Sequence, residues 1–290
     1  MAKEWLDFKT DQKPYFYQHE VLENVLNEIE AKKNSIEKYF EVHPKSRDLI
    51  CTKEKRMKRC LESANSYLNL EDDLHIDIVP SIDKSEIEKE IELENMKRIA
   101  AYQRACEDMH QIAMSKDGFL YPDLLIKQHI QMCMGDSEKR GIIRHRFRNE
   151  TDPEIMIGQG YFAPVDGYLV TPRVNHLFSM LNNDWYEDHP MVKGAKFVTE
   201  YVRIQPHLDG NKRIALMGLN FILEKEGYPD IYFDNKQKDE LFESIKQAML
   251  TRDVTQFVEL IAENVKRRCN DRIVDIRDYR IQNYQEENNL

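Results

Sequence analysis

The residues best suited to chemistry in this 290-residue chain form one short stretch, residues 205–213, which reads Gln-Pro-His-Leu-Asp-Gly-Asn-Lys-Arg. Apolar residues at helical spacing flank it, and the Asp209-Gly210 turn predicts the start of a helix. The first N–H groups of a helix have no intrahelical acceptor, and the positive end of its dipole points the same way. Lys212 and Arg213 add two cations to that first turn. The stretch therefore predicts a site for an anion such as a phosphate.

Asp209, immediately before the predicted helix, can act in two ways. Its carboxylate is a good N-cap, and it is equally a hard-oxygen ligand for a Mg²⁺ ion that bridges phosphates. The spacing alone leaves a second interpretation open, in which the helix is an ordinary capped one and its two basic residues are solvated.

Helical patterning through most of the chain predicts the elements that position this stretch. One apolar helix begins at Pro190 and stops at Pro206, and the next stops at Gly227. Between residues 141 and 172, four glycines and three prolines interrupt the helical pattern, which predicts a long loop with a short hairpin. The expected fold class is all-α with one short β-hairpin.

Composition limits the classes of protein that remain. Gly and Pro number ten each, which excludes collagen-like and low-complexity chains and disfavours a turn-rich β-sandwich. No apolar run is long enough for a membrane span, and the N-terminus has no signal-peptide core. Five dispersed cysteines without a CxxC pair predict reduced thiols. The net charge of −10 argues against nonspecific nucleic-acid binding. We expect a cytoplasmic, helical protein with no nucleic-acid or membrane partner.

Residues 205–213 resemble the signature of the Fic/Doc family, His-x-Phe-x-Asp/Glu-Gly-Asn-Gly/Lys-Arg. Residues 201–204 resemble the family's helix end before the signature, and residues 158–169 resemble its flap, a hairpin that lies over the target peptide. The resemblance implies a Fic-like helical bundle as the core domain. The expected regions are a helical N-terminal extension (1–84), the Fic-like core (85–265), and a charged helix end with a disordered tail (266–290).

The resemblance implies transfer of AMP from ATP, with Mg²⁺, to a hydroxyl side chain of a target protein. By position, Asp209 would hold Mg²⁺, and Gly210 and Asn211 would form the phosphate nest. Arg213 would clamp phosphate oxygens, with Lys212 as an auxiliary cation. Lys212 is also the variant of Doc-like members, so transfer of phosphate stays open as an alternative reaction.

The flap would supply the contacts with the target protein, through Gly160, Tyr161 and Phe162. The two aromatic side chains could equally be a hydrophobic anchor for the hairpin. The sequence identifies neither the target protein nor the side chain that is modified, and it leaves the oligomeric state open.

The chain departs from the family pattern at the general base. The family's catalytic His aligns with Gln205, and a neutral amide cannot accept a proton near pH 7. Losing general-base help typically removes about 10²–10⁴ in rate. His207 falls on the family's Phe position, about 6–7 Å away in an extended segment, and could substitute unless it packs in the core. We expect a weakened nucleotidyl transferase or one with altered chemistry. The alternative is a catalytically silent, nucleotide-binding regulator that acts through a protein partner.

A second departure concerns inhibition. Leu216 stands where many members have a second Arg, which pairs with the Glu of a Ser/Thr-x-x-x-Glu-Gly/Asn helix. The best match to that helix, residues 65–70, has Asn in both the Ser/Thr and the Glu positions. The sequence therefore predicts that glutamate-type autoinhibition is absent, with Glu62 or Glu71 as the alternative inhibitory residue if the alignment is shifted.

Two further clusters have weaker claims. His129 and Cys133 have an i, i+4 spacing that a zinc site could use, but no second pair at ligand spacing accompanies them. The basic run at residues 144–148 could bind a nucleotide or an acidic partner, although a solvated loop is the favoured interpretation.

Overall fold

The fold comes from a computed structural model, which describes residues 6–7, 13–68, 84–134, 145–153, 155 and 162–288. Helices dominate these residues, as the sequence predicts, so the all-α fold is confirmed. The two short strands are β1 (Leu6–Asp7) and β2 (Phe162–Ala163). The helices are α1 (His19–Val42), α2 (Pro44–Ile50), α3 (Lys53–Leu68), α4 (Lys84–Met114), α5 (Pro122–Cys133), α6 (Gly167–Ser179), α7 (Pro190–Ile204), α8 (Asn211–Lys225), α9 (Lys238–Thr251) and α10 (Thr255–Asn288).

Helices α7 and α8 form a close antiparallel pair at the centre of the fold. A Cβ atom added at Gly194 of α7 would lie 2.3 Å from Cδ1 of Leu219 on α8. One added at Gly218 of α8 would lie 2.3 Å from Cε1 of Phe197 on α7. The two glycines therefore permit a close approach of the helices without displacing Leu219 or Phe197, and this pairing sets the loop between α7 and α8.

The N-terminal helices pack against the long C-terminal helix. Leu22, Leu26 and Ile29 of α1 are buried, and the Lys266 ammonium of α10 donates to Glu28 Oε2 at 2.6 Å. Ahead of α1, Phe16 N–H donates to the carbonyl of Arg252 at 3.0 Å. The N-terminal segment is thereby joined to the turn between α9 and α10.

The structure differs from two expectations at the ends of elements. Helix α10 runs to Asn288, so residues 281–288 are helical where the sequence predicted a disordered tail. Intrahelical ion pairs such as Arg268 to Asp271, at 2.7 Å, help its charged sequence to continue as a helix. Helix α6 begins at Gly167, earlier than expected, and contains Pro172.

The expected hairpin flap is only partly within the described residues. Gly160 and Tyr161 lie outside them, while Phe162 belongs to β2, which pairs in parallel with β1. An antiparallel hairpin is not seen in the described part of this segment, so the flap stays a prediction. No helix in the described ranges is long and apolar enough to cross a membrane.

Candidate functional site

The loop that joins α7 to α8 reverses the chain through two left-handed residues. Gln205, which ends α7, has φ 51° and ψ 65°, and Gly210, which precedes α8, has φ 78°. A Cβ atom at Gly210 would also lie 2.5 Å from Cε of Met132 on α5. Glycine at residue 210 therefore satisfies both the backbone conformation and the space available.

The side-chain amide of Asn211 organises the loop from within. Its Nδ2 donates to Gln205 Oε1 at 2.7 Å and to the carbonyl of His207 at 2.8 Å. Its Oδ1 accepts the His207 N–H at 2.8 Å. Gln205 Nε2 in turn donates to the carbonyl of Val202 at 2.7 Å. Donor and acceptor of the Gln205 amide are therefore both used in holding the loop.

Arg148 holds the same loop from outside. The backbone N–H of Arg148 donates to the Pro206 carbonyl at 2.7 Å, and its side-chain Nε donates to the Gln205 carbonyl at 3.2 Å. Burial lowers the pKa of Arg148 from its ordinary value. The sequence favoured a solvated loop for residues 144–148. That interpretation is wrong for Arg148, because its guanidinium is buried and supports the loop between α7 and α8. No spacing in the sequence pairs it with that loop.

His207 lies in the protein interior. Its ring stacks on that of His129, with centroids 3.8 Å apart and planes 3° apart, and its Nε2 is 2.9 Å from the Tyr201 hydroxyl. Burial, with a smaller effect of His129, holds the pKa of His207 well below its ordinary value. The imidazole is therefore neutral and directed into the core, as a structural residue at this position would be.

His129 also supports the loop. Its Nε2 is 2.9 Å from the carbonyl oxygen of Asp209, which can only accept, so Nε2–H is the donor. Cys133 Sγ lies 3.5 Å from the same nitrogen. The described residues contain no group of three or more His, Cys, Asp or Glu side chains that could hold a metal ion. His129 thus contacts both the loop, through the Asp209 carbonyl, and Cys133.

Asp209 and Arg213 meet at the start of α8. Asp209 Oδ1 accepts the Gly210 N–H at 2.5 Å, and Oδ2 lies 3.6 Å from a terminal nitrogen of Arg213. The first backbone hydrogen bond of α8 runs from the Ile214 N–H to the Gly210 carbonyl at 3.1 Å. The N–H groups of the helical residues before Ile214 therefore have no acceptor within the helix backbone. The structure therefore brings a carboxylate, a guanidinium and a helix N-terminus together at one place.

These residues fit a Mg²⁺ ion that is shared with phosphates. The Asp209 side chain is about a quarter exposed, and its carboxylate supplies the hard oxygen that Mg²⁺ prefers. Mg²⁺ is commonly bound through one or two carboxylates plus substrate phosphates, so a single carboxylate suffices.

Lys212 points to a different neighbour. Its ammonium lies 4.1 Å from the centroid of the Phe242 ring on α9, a cation–π contact.

Leu216, one turn further along α8, is buried in the apolar core. Residues 69–70 of the segment compared with the inhibitory helix lie outside the described residues, so the absence of glutamate-type inhibition stays a prediction.

Part of the chain is similar to a known protein family. Residues 119–223 match the model of the Fic/DOC family. The protein adenylyltransferase Fic of Aedes aegypti is 27% identical over 124 residues, which cover 42% of this chain and 23% of that protein. The protein adenylyltransferase fic-1 of Caenorhabditis elegans is 25% identical over 154 residues, 50% of this chain and 30% of that protein. The matched part thus spans less than a third of these relatives.

Solved structures show the same fold over most of the chain. A Fic domain containing signaling protein from Bacteroides thetaiotaomicron has a TM-score of 0.62 at 19% identity, covering 87% of this chain and 95% of that one. Fic-1 from Caenorhabditis elegans has a TM-score of 0.67 at 14% identity, covering 90% and 74%.

Proposed function

We propose, on the premise that residues 119–223 of this chain are a Fic/DOC family domain, that it transfers AMP from ATP–Mg²⁺ to a hydroxyl side chain of a target protein, at a rate that Gln205 keeps low. The observation that carries the proposal is the meeting of Asp209, Gly210 and Arg213 at the start of α8. Relatives with this domain are named protein adenylyltransferases.

The start of α8 supplies the means to bind the phosphates of ATP. The N–H groups of the first turn and the helix dipole favour a negative ligand. The Arg213 guanidinium can exchange its ion pair with Asp209, at 3.6 Å, for hydrogen bonds to phosphate oxygens. Asp209 would then hold Mg²⁺, which when bound neutralises phosphate charge. Nucleotidyl transfer depends mainly on such positioning and charge neutralisation.

The step that remains unassisted is removal of the proton from the target hydroxyl. In the reaction, that oxygen bonds to the α-phosphorus, the bond from this phosphorus to the bridging oxygen breaks, and pyrophosphate leaves. A base must accept the hydroxyl proton. The Gln205 amide cannot, and its oxygen already accepts from Asn211. His207 is buried against His129 and Tyr201. The rate we expect is therefore about 10²–10⁴ below that of a site with a base.

A second candidate function is a catalytically silent regulator that binds ATP and acts through a protein partner. The observation that favours it is that both the nitrogen and the oxygen of the Gln205 amide form hydrogen bonds, with the Val202 carbonyl and with Asn211. In either function, Gly160, Tyr161 and Phe162 of the expected flap would contact the protein. Phosphate transfer gains no support from the geometry, because the Lys212 ammonium lies over Phe242.

The test compares transfer of label from α-labelled ATP–Mg²⁺ to protein by the wild type, Gln205→His and Gln205→Asn. The Asn variant keeps an amide and is the matched control. We expect Gln205→His to gain at least about 10² in rate while Gln205→Asn gains nothing. ATP binding by all three without transfer by any would favour the regulator. Failure of the wild type to bind ATP would overturn both functions.

A further inference from the structure

A second polar cavity lies at the other end of α8 from the candidate phosphate site. Its volume is about 470 Å³, and it lies between the N-terminal helices α1–α3 and helices α4, α8 and α10. Glu224, in the last turn of α8, borders it, roughly 20 Å along the helix from its start. The basic side chains that line it and are used below are Arg56, Arg59, His110, Arg268 and Arg272.

Three of these arginines share one buried carboxylate. Asp230 accepts two hydrogen bonds from Arg59, at 3.1 and 3.2 Å, and lies 3.9 Å from Arg272. Burial alone would raise the pKa of Asp230, but Arg59, Arg272 and Arg268 together hold it below its ordinary value. One negative charge therefore serves three guanidinium groups.

Arg268 has a further partner, but a weak one. Its Nη1 is 2.7 Å from Asp271, whose side chain is half exposed to water. Burial lowers the pKa of Arg268, and the charge of Arg59 lowers it further. The Arg268 charge is thus held beside another positive charge, and its exposed partner offsets little of that repulsion.

Acidic side chains also line the cavity, namely Glu37, Asp48, Glu54, Glu224 and Asp275, and two of them form ion pairs with Arg47 and Lys55. Arg56 forms two 3.3 Å hydrogen bonds to Glu107, which neutralises that pair. His110 Nδ1 is 2.6 Å from Glu224, and burial raises the pKa of the Glu224 carboxyl. The residues that line the cavity include seven Lys and Arg side chains and five Asp and Glu side chains, in a chain whose net charge is −10.

We infer that this cavity is a second anion site, which binds a small phosphate-bearing molecule between Arg59, Arg268 and Arg272. Guanidinium groups match the oxygens of phosphate with pairs of hydrogen bonds. The volume falls in the usual range for small-molecule sites, about 300–1,000 Å³. Phe40, Ile50 and Tyr228 line another part of the cavity and offer an apolar surface to the rest of the ligand.

The position of the site predicts what the ligand does to the fold. Arg59 belongs to α3, and Arg268 and Arg272 belong to α10. A bound phosphate would therefore join an N-terminal helix to the C-terminal one and relieve the repulsion between Arg59 and Arg268. The free energy of unfolding rises whenever a ligand binds only the folded state.

The test is titration with inorganic phosphate, and separately with AMP, by calorimetry and by thermal unfolding. Arg268→Gln removes one cation, and Lys266→Gln is the matched control two residues away on the same helix. Arg213→Gln removes the cation of the other site. We expect phosphate to raise the melting temperature of the wild type and of the Lys266→Gln and Arg213→Gln variants. Arg268→Gln should weaken phosphate binding by about tenfold or more.

Folding of Arg268→Gln is not expected to fail, because the substitution removes a repulsion, and Arg272→Gln provides a second variant. Absence of phosphate binding by the wild type would overturn the inference. So would binding that Arg213→Gln abolishes while both Arg268→Gln and Arg272→Gln retain it. Either result is independent of whether the protein transfers AMP.

Discussion

Asn211 Nδ2 donates to Oε1 of Gln205 at 2.7 Å, so the first residue of α8 is hydrogen-bonded to the residue that ends α7. Gln205 also donates to the carbonyl of Val202. Gln205, which aligns with the catalytic His of the Fic/Doc signature, is thus part of the internal support of the loop. This relationship explains how the loop keeps its shape with an amide in that place.

The Asn211 amide should be essential to loop stability. Asn211→Ala leaves Gln205 Oε1 and the N–H and carbonyl of His207 without this partner in a buried place, so we expect a loss of about 3 kcal/mol in the free energy of unfolding. Urea unfolding measures it. Asn270→Ala, which removes one exposed contact with Lys32, is the control. A loss as small as that of the control would contradict the network.

Gly210 should tolerate no side chain, for two separable reasons. Gly210→Ala and Gly227→Ala both place alanine at positive φ, 78° and 81°, which costs about 1–2 kcal/mol. The added Cβ meets Met132 only at residue 210, whereas at residue 227 the nearest atom is 3.9 Å away. We expect Gly210→Ala to lower the melting temperature at least as much as Gly227→Ala, because Met132 must also shift, and only Gly210→Ala to reduce ATP affinity. Equal ATP affinity in the two variants would exclude an effect of the loop.

Glu200 of α7 should be a major source of stability. It accepts from Arg203 at 3.1 Å, Arg252 at 3.3 Å and the Tyr15 hydroxyl at 2.6 Å, all buried. Glu200→Gln leaves two buried guanidinium groups without their negative charge, and we expect a loss of about 3–5 kcal/mol. Glu243→Gln, in an exposed pair, should cost at most about 1 kcal/mol. If chemical unfolding gave Glu200→Gln and Glu243→Gln similar losses of unfolding free energy, Glu200 would not be a major source of stability.

The half-buried His189 should make the fold sensitive to acid. Burial lowers the pKa of His189 to about 4, against the opposing effect of Glu30. The unfolded chain takes up this proton near pH 6.5 and the folded chain does not, so stability falls as the pH drops from about 6.5 to 4. His189→Gln should reduce that loss by up to about 3 kcal/mol. The free energy of unfolding at pH 7 and at pH 4.5 measures this loss, with the exposed His19→Gln variant as the control. The same loss in His189→Gln as in the wild type would contradict the assignment.

Local features of the sequence were enough to predict the helices around the site. Pro190 at the first turn and Gln205 before Pro206 bound α7, and the Asp209-Gly210 turn precedes α8, as predicted. These boundaries depend on residues that are neighbours in the chain, so the sequence displays them directly.

The supports of the loop could not be predicted in the same way. Arg148 reaches the Gln205 carbonyl across 57 residues, and His129 reaches the Asp209 carbonyl across 80. Such contacts depend on how α5, the residues before β2 and the α7–α8 pair come together. A single sequence offers no periodicity or motif that would reveal them.

The binding of ATP–Mg²⁺ tests the central claim most directly, by calorimetry on the wild type, Arg213→Ala, Lys212→Ala and the control Lys225→Ala in the last turn of α8. We expect wild-type binding, and a loss of about tenfold or more in Arg213→Ala. Lys212→Ala should lose about fivefold at most, because its ammonium lies over Phe242. No binding by the wild type, or equal affinity of Arg213→Ala and the wild type, would contradict a phosphate site at the start of α8.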